Sequence, residues 1–315
     1  MSEGRIAIVG TGLIGRGWAI VFARAGYVTT LYDAGEGAVG QALEAIGQSL
    51  RDLEAMRLID SAAEAATHLR PRASLEEALE DVIYAQESVP EDRDLKRAVF
   101  EAMERAAPPD AVLGSSCSAI PGSAFLGGLP GAGRCLIAHP ANPPYLLPVV
   151  ELVPTPETLA EALARCRALM EAVGQVPVTL RKEVPGFVMN RMQIAAVNEA
   201  MSLVAGGVMD PDDVDRTMRY SIGMRWAFMG PFETMELNAA GGFKDYATRY
   251  RTGYETVGRD LRVGEPWDDG AIEAIEAARR ARLPKAQVPA RHAWRDRRLM
   301  ALLRHLKEAD RELGA

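Results

Sequence analysis

Apolar residues follow two alternating rhythms along the first 180 or so positions. The β-branched runs Arg5-Ile-Ala-Ile-Val9 and Val28-Thr-Thr-Leu-Tyr32 flank a segment in which Trp18, Ala19, Phe22 and Ala23 recur at helical spacing, stopping at Gly26. Short continuous apolar runs mark buried strands, and a spacing of three to four marks an amphipathic helix. Residues 5–32 therefore read as strand, turn, helix, strand. The alternation continues with a helix over 38–56, a strand over 81–86 and a helix over 95–106 that Pro108-Pro109 ends. A strand opens at Val112-Leu113, two more cover 136–138 and 149–153, a helix covers 156–173, and a last strand covers 176–180. This order predicts an α/β fold, a Rossmann-type doubly wound and mostly parallel sheet with helices on both faces.

The pattern changes at Pro185-Gly186. Beyond it only helical spacing is found, as in 187–205, where Ile194, Val197, Met201 and Val204 form one stripe. Asp210-Pro211 reads as an N-cap and first turn. Residues 1–185 are thus expected to form the α/β domain and residues 186–315 a smaller all-α domain. The apolar stripes of the second domain exceed what a domain of its size buries alone, which predicts a homodimer through it.

Composition narrows the function classes. The net charge of −7 argues against a nucleic-acid partner. The charge is uneven, with eleven Lys/Arg against four Asp/Glu from Arg279 onward, a solvated face or an anion-steering patch. No apolar run reaches the ~18 residues of a membrane span, so no membrane association is expected. The chain enters a strand at once, without a signal-peptide pattern. Cys117, Cys135 and Cys166 lack metal or redox spacing, and an odd, low number fits a reducing compartment, here the cytoplasm. His68, His139, His292 and His305 are too dispersed for a helical metal pair, so no metal is expected and a histidine base would act alone.

Gly10-Thr-Gly12-Leu13-Ile14-Gly15 follows the first strand and opens the first helix. Gly10 permits the tight turn, Gly12 removes a side chain that would block a pyrophosphate, and Gly15 lets helix and strand approach. Phosphates would sit on the amides at the helix start, those of Leu13 and Ile14 among them. Asp33 ends the second strand, where its carboxylate can accept from ribose hydroxyls and repel a 2′-phosphate, so NAD is the expected cofactor.

Oxidation of an alcohol requires an acceptor for its proton, and a neutral imidazole serves near pH 7. His139 directly follows a strand, and Glu151 lies within the next strand-like run, where a carboxylate is costly unless paired. The two form either a base dyad or a buried pair that only packs. Ser115-Ser-Cys-Ser118 at another strand end is either a cap or a ligand-holding loop. Asn190, in Pro185-Gly-Phe-Val-Met-Asn190-Arg191, is either cleft-facing or a plain helix-surface residue.

Together these motifs resemble the L-3-hydroxyacyl-CoA dehydrogenase family over nearly the whole chain. The match lies in the glycine loop with Asp33, Ser-Ser-Cys-Ser118, His139-Pro-Ala-Asn142-Pro, Val-Glu151-Leu-Val and Pro-Gly-Phe-Val-Met-Asn190-Arg. The resemblance implies a catalytic dyad of His139 and Glu151, with Ser118 and Asn190 contacting the substrate oxygen. Through Glu87-Ser-Val-Pro-Glu91-Asp-Arg-Asp-Leu-Lys96 it implies Glu91 and Lys96 as cofactor contacts. Ser116 and Asn142 match nicotinamide-side positions, and the family is dimeric.

Arg225, in Gly223-Met-Arg225-Trp226, is either a surface or ion-paired arginine or a substrate contact, because a guanidinium grips a free carboxylate with two parallel bonds. Residues 51–72, where family enzymes carry a CoA-binding hairpin, balance Arg51, Arg57, Arg70 and Arg72 against Asp52, Glu54, Asp60 and Glu64. A small-molecule carboxylate is therefore expected ahead of a short-chain 3-hydroxyacyl-CoA, and the family resemblance, through His139-Pro-Ala-Asn-Pro-Pro-Tyr-Leu-Leu-Pro148, the stretch 223–238 and the retained Asn190, implies L-gulonate ahead of L-carnitine. A non-catalytic NAD-binding structural protein is the alternative of another class.

Overall fold

The computed structural model describes residues 4–261, 267 and 269–314. The α/β part runs β1 (Arg5–Val9), α1 (Leu13–Arg24), β2 (Val28–Tyr32), α2 (Ala38–Ala55), α3 (Ala62–Ala66), β3 (Leu69–Pro71), α4 (Leu75–Leu79) and β4 (Val82–Glu87). It continues with α5 (Arg93–Ala106), β5 (Val112–Ser115), α6 (Ser123–Leu126), β6 (Cys135–Pro140), β7 (Val149–Pro154), α7 (Ala160–Ala172) and β8 (Val176–Thr179). Seven helices follow: α8 (Met189–Ala205), α9 (Pro211–Tyr220), α10 (Ile222–Trp226), α11 (Pro231–Leu237), α12 (Gly242–Asp260), α13 (Asp269–Arg282) and α14 (Val288–Leu313).

The eight strands form one sheet in the order β3-β2-β1-β4-β5-β6-β7-β8. All neighbours pair parallel except β6 and β7, which run antiparallel. This is the Rossmann-type fold that the alternating rhythm predicts. The period of two decides which core each strand residue joins. On β1, Ile6 and Ile8 enter the cluster holding Trp18, Phe22, Ile46 and Leu50, while Ala7 and Val9 enter the one holding Phe100, Met103 and Phe125. Both faces of β1 are covered, which is why its sequence is apolar without alternation. Chain order reverses between β1 and β4, so the carboxyl ends of the strands there frame a crevice.

Several boundaries differ from the sequence expectation, each for a local reason. Helix α5 starts at Arg93 because the Asp92 side chain caps it through the Leu95 amide at 2.8 Å. Helix α7 starts at Ala160 because the Thr158 hydroxyl, donating to the Cys135 carbonyl and accepting the Thr155 amide, holds the preceding residues in a turn. The edge strand β3 has only three residues and ends in proline, too short for a periodic signal.

The chain divides into two compact units, Met1–Arg191 with Arg295–Ala315, and Met192–Trp294. The helical unit thus begins at Met192, six residues after the start expected at 186, and the basic C-terminal segment is split: its residues from Arg295 onward pack with the first unit, while Arg279 to Arg291 stay in the second. Met300 on α14 is buried and belongs to the core cluster that also holds Ile6, Ile8 and Trp18. In the second unit every described residue in a regular element is helical. Among the described residues, no helix is long and apolar enough to cross a membrane.

Candidate active site

The glycine loop follows β1, and each of its three glycines meets a different constraint. Gly10 has φ +93°, and a Cβ there would lie 2.7 Å from the Ser88 carbonyl oxygen. At Gly15 a Cβ would fall 1.9 Å from the Gly10 carbonyl oxygen. At Gly12 it would meet nothing within 4 Å. Two glycines are therefore required by the protein itself, while the third leaves space at a helix start, where a pyrophosphate fits. Beside it lies a hollow of about 690 Å³, walled by Leu13, Tyr32, Leu75, Pro90 and Leu95, apolar enough for an adenine ring.

Asp33 closes this crevice from the end of β2. Its Oδ2 accepts from the Thr11 amide at 2.6 Å and the Thr11 hydroxyl at 3.0 Å, and its Oδ1 accepts from the Gly35 amide at 2.9 Å. Burial would raise its pKa, but these donors and nearby Arg16 hold it below the ordinary carboxylate value. A carboxylate has about four acceptor positions, so one remains for a ribose hydroxyl. Thr11, which the sequence analysis passed over as the variable residue of the motif, braces the aspartate.

His139 and Glu151 face each other in the antiparallel register of β6 and β7. His139 Nδ1 lies 2.8 Å from Glu151 Oε2, and both side chains are buried. The other oxygen, Oε1, accepts from the Val188 and Met189 amides, each at 2.8 Å, at the start of α8. Burial alone would push the Glu151 carboxyl up; the His139 hydrogen bond and the two amides reverse this and hold it down. Glu151 therefore stays ionised near neutrality, fixes the imidazole and ties it to α8. Phe187, fully buried with φ +50°, sets its ring 5.4 Å from that of His139. No sequence signal separated it from an ordinary core aromatic.

Ser118 and Asn190 meet, but through the backbone: Asn190 Nδ2 donates to the Ser118 carbonyl at 2.7 Å. Glu91 Oε1 accepts from Cys117 Sγ at 3.1 Å, the Ser118 amide at 2.9 Å, the Ser118 hydroxyl at 3.2 Å and the Ala119 amide at 3.0 Å. Burial would raise the Glu91 carboxyl, but these bonds and Lys96 keep it low. Lys96 is 1% exposed and donates to Glu87 Oε1 at 2.9 Å and the Val89 carbonyl at 3.2 Å. It lies inside the protein, not on the crevice wall that a cofactor contact implies. Its partner Glu87, carried in the apolar β4, had the same sequence signal as Glu151, a carboxylate where only a paired one is tolerated.

Ser116 is likewise engaged internally. Its oxygen accepts from Trp18 Nε1 at 3.1 Å and Gln86 Nε2 at 2.7 Å and lies 2.9 Å from the Ser88 hydroxyl. Asn142 is exposed on the turn joining β6 to β7. All these residues belong to the first unit, whereas Arg225 belongs to the second, exposed on α10.

Comparison with known proteins agrees with this geometry. Residues 5–184 match the NAD-binding domain of 3-hydroxyacyl-CoA dehydrogenase, and residues 186–279 match its C-terminal domain. The chain is 39% identical to lambda-crystallin of Oryctolagus cuniculus, over 97% of this chain and 98% of that protein. It is 37% identical to L-carnitine dehydrogenase of Oceanobacillus iheyensis, over 76% of each. Among solved structures, 5-formyl-3-hydroxy-2-methylpyridine 4-carboxylic acid 5-dehydrogenase, an NAD+-dependent dismutase, superposes with a TM-score of 0.84 at 26% identity, covering 97% of this chain and 99% of that one. With both domains matched in order, the chain belongs to the 3-hydroxyacyl-CoA dehydrogenase family, NAD-dependent oxidoreductases acting on CH–OH groups.

Proposed function

We propose that the protein oxidises a free 3-hydroxy acid, with L-gulonate to 3-dehydro-L-gulonate as the first candidate reaction. The observation that carries this reading is the buried His139–Glu151 pair at the end of β6, near the strand ends that hold the glycine loop. With Nδ1 bound to Glu151, Nε2 is the nitrogen that takes the alcohol proton as the O–H bond breaks and C=O forms. Glu151 keeps the imidazole in the tautomer that can accept there and stabilises the imidazolium. NAD, when bound, supplies the acceptor for the hydride leaving the same carbon. Gly12, Leu13, Ile14 and Asp33 would hold it. Ser118 and Asn190, joined to each other, orient the substrate oxygen, and Asn142 lies on the nicotinamide side.

The free acid is favoured over a CoA thioester by Arg225 and by the balanced charge of residues 51–72, which offers no clamp for CoA phosphates. The test is turnover followed at 340 nm with NAD and L-gulonate, L-3-hydroxybutyrate, L-carnitine or 3-hydroxybutyryl-CoA, in wild type and Arg225→Met. L-Gulonate is expected to be turned over fastest, and Arg225→Met to raise KM for the acid about tenfold or more while KM for NAD stays put. Faster turnover of the thioester, or equal small changes in both constants, overturns the assignment. NADH binding without turnover of any substrate favours a structural, crystallin-like role.

We also propose a homodimer through the helical unit. The described helices α9 to α12 bury no residue, and Trp226, Phe228, Phe232 and Tyr254 are all exposed. Apolar surface on this scale marks an association site. Light scattering on the eluting protein should give twice the chain mass; a monomer at micromolar concentration refutes it. Three free, buried cysteines fit placement in the cytoplasm.

A further inference from the structure

We propose that the Ser88 hydroxyl is a donor aimed into the dinucleotide crevice, held in that direction by Trp18, Gln86 and Ser116, and that it binds an acceptor oxygen on the diphosphate or the nicotinamide ribose. This depends on where the dinucleotide lies, not on which hydroxy acid is oxidised. The direction follows from the groups around one oxygen. Ser116 Oγ accepts from Trp18 Nε1 at 3.1 Å and from Gln86 Nε2 at 2.7 Å. An indole N–H only donates. The Gln86 amide has one orientation, because Nε2 also donates to the Ala138 carbonyl at 3.3 Å and Oε1 accepts from the Tyr84 hydroxyl. Turned over, it would set two acceptors against each other at Ala138. Both acceptor positions of Ser116 are therefore filled, and its own proton goes to Ser88 Oγ, 2.9 Å away. Trp18, Tyr84 and Gln86 are buried, so the fold and not the solvent sets this order.

Ser88 Oγ thus accepts from Ser116, and its own proton cannot return along the same line. Among the described residues, no other group bonds to Ser88 Oγ. Ser88 directly follows β4 and lines the crevice together with Gly10, Gly12, Val89 and Pro90. Its backbone is fixed against the glycine loop. The Ser88 amide donates to the Val9 carbonyl at 2.7 Å, and its carbonyl oxygen sits where a Cβ on Gly10 would come within 2.7 Å. A directed donor without a protein partner, on the wall of a largely apolar hollow, has the chemistry of a ligand contact. A hydroxyl proton serves a phosphate or a ribose oxygen equally well. Because the network fixes its direction beforehand, little rotational freedom is lost when a ligand binds.

The test is the dissociation constant of NADH, ADP-ribose and ADP, by titration calorimetry, in wild type, Ser88→Ala, Trp18→Phe and the double variant. Ser88→Ala is expected to weaken NADH and ADP-ribose about 3- to 10-fold, with ADP unchanged, where a ribose hydroxyl accepts. Where the charged diphosphate accepts, all three weaken, by about 10- to 100-fold. Unchanged affinity for all three overturns the proposal. Trp18→Phe keeps the stack on Phe22, 5.6 Å away, but vacates one acceptor position of Ser116, so that Ser88 can turn inward and donate to it. It should weaken ADP-ribose about two- to fivefold with Ser88 present and have no further effect on top of Ser88→Ala. Equal losses in both backgrounds make Trp18 a packing residue and overturn its part in directing Ser88. If Trp18→Phe does not fold, Gln86→Met replaces it in the cycle, since it opens the other acceptor position. Gly12→Val measured in parallel separates two failures: unchanged affinity there removes the dinucleotide from this crevice, whereas a loss there with none in Ser88→Ala refutes the role of Ser88 alone.

Discussion

Replacing His139 with glutamine is expected to lower kcat by about 10²- to 10⁴-fold, the range for a lost general base, while NADH affinity stays within about twofold. Glutamine fits the strand position and can still donate an amide N–H to Glu151, so the β6–β7 register and the start of α8 should persist. What it cannot do is accept a proton at the position of Nε2 and carry it. Stopped-flow oxidation of the hydroxy acid measures the first quantity, and quenching of tryptophan fluorescence by NADH the second. A variant that kept most of its rate would remove His139 from the chemistry and leave the pair as packing.

The second large effect concerns the glycine loop, where two similar substitutions should have opposite consequences. Gly12→Val places a side chain in space that is empty of protein, at a backbone φ of −64° that any residue adopts. The melting temperature should hardly move, while NAD affinity falls about 100-fold or more through lost pyrophosphate contacts. Gly15→Ala drives a Cβ into the Gly10 carbonyl oxygen, so α1 and the loop must separate. Its cost should appear first as destabilisation, about 1–3 kcal/mol for an overpacked backbone contact. Thermal denaturation of both variants with and without NADH distinguishes them. Equal NAD affinity in wild type and Gly12→Val would place the cofactor elsewhere.

How far the sequence carried the reading differs between residues. The β1 loop was legible because three glycines at fixed spacing, between a strand and a helix, have few other uses. Glu151 was legible because ionised groups are rare inside apolar strands, and the register supplied its partner. Glu87 carried the same signal but was read as part of a motif, and its partner lies on α5 and not on a neighbouring strand. The family resemblance implies Lys96 as a cofactor contact; the fold buries it. The helical spacing around Met300 gave no hint that the segment returns to the first unit, because an amphipathic stripe states that a face is covered without stating by what.

By itself, then, the sequence determined the local order of the chain: which segments are strands, where the loop turns, which charged residues must be paired. Those follow from short-range sterics and from the cost of burying charge, both written in neighbouring residues. Only the tertiary structure decided which partners meet. It joined Glu91 to three successive residues of the Ser118 loop, Asn190 to the Ser118 carbonyl, and Glu151 to the amides that open α8. Each of these contacts spans at least 26 residues, and no periodicity reaches that far. The pairing is set by strand order and register, which emerge when the whole sheet packs.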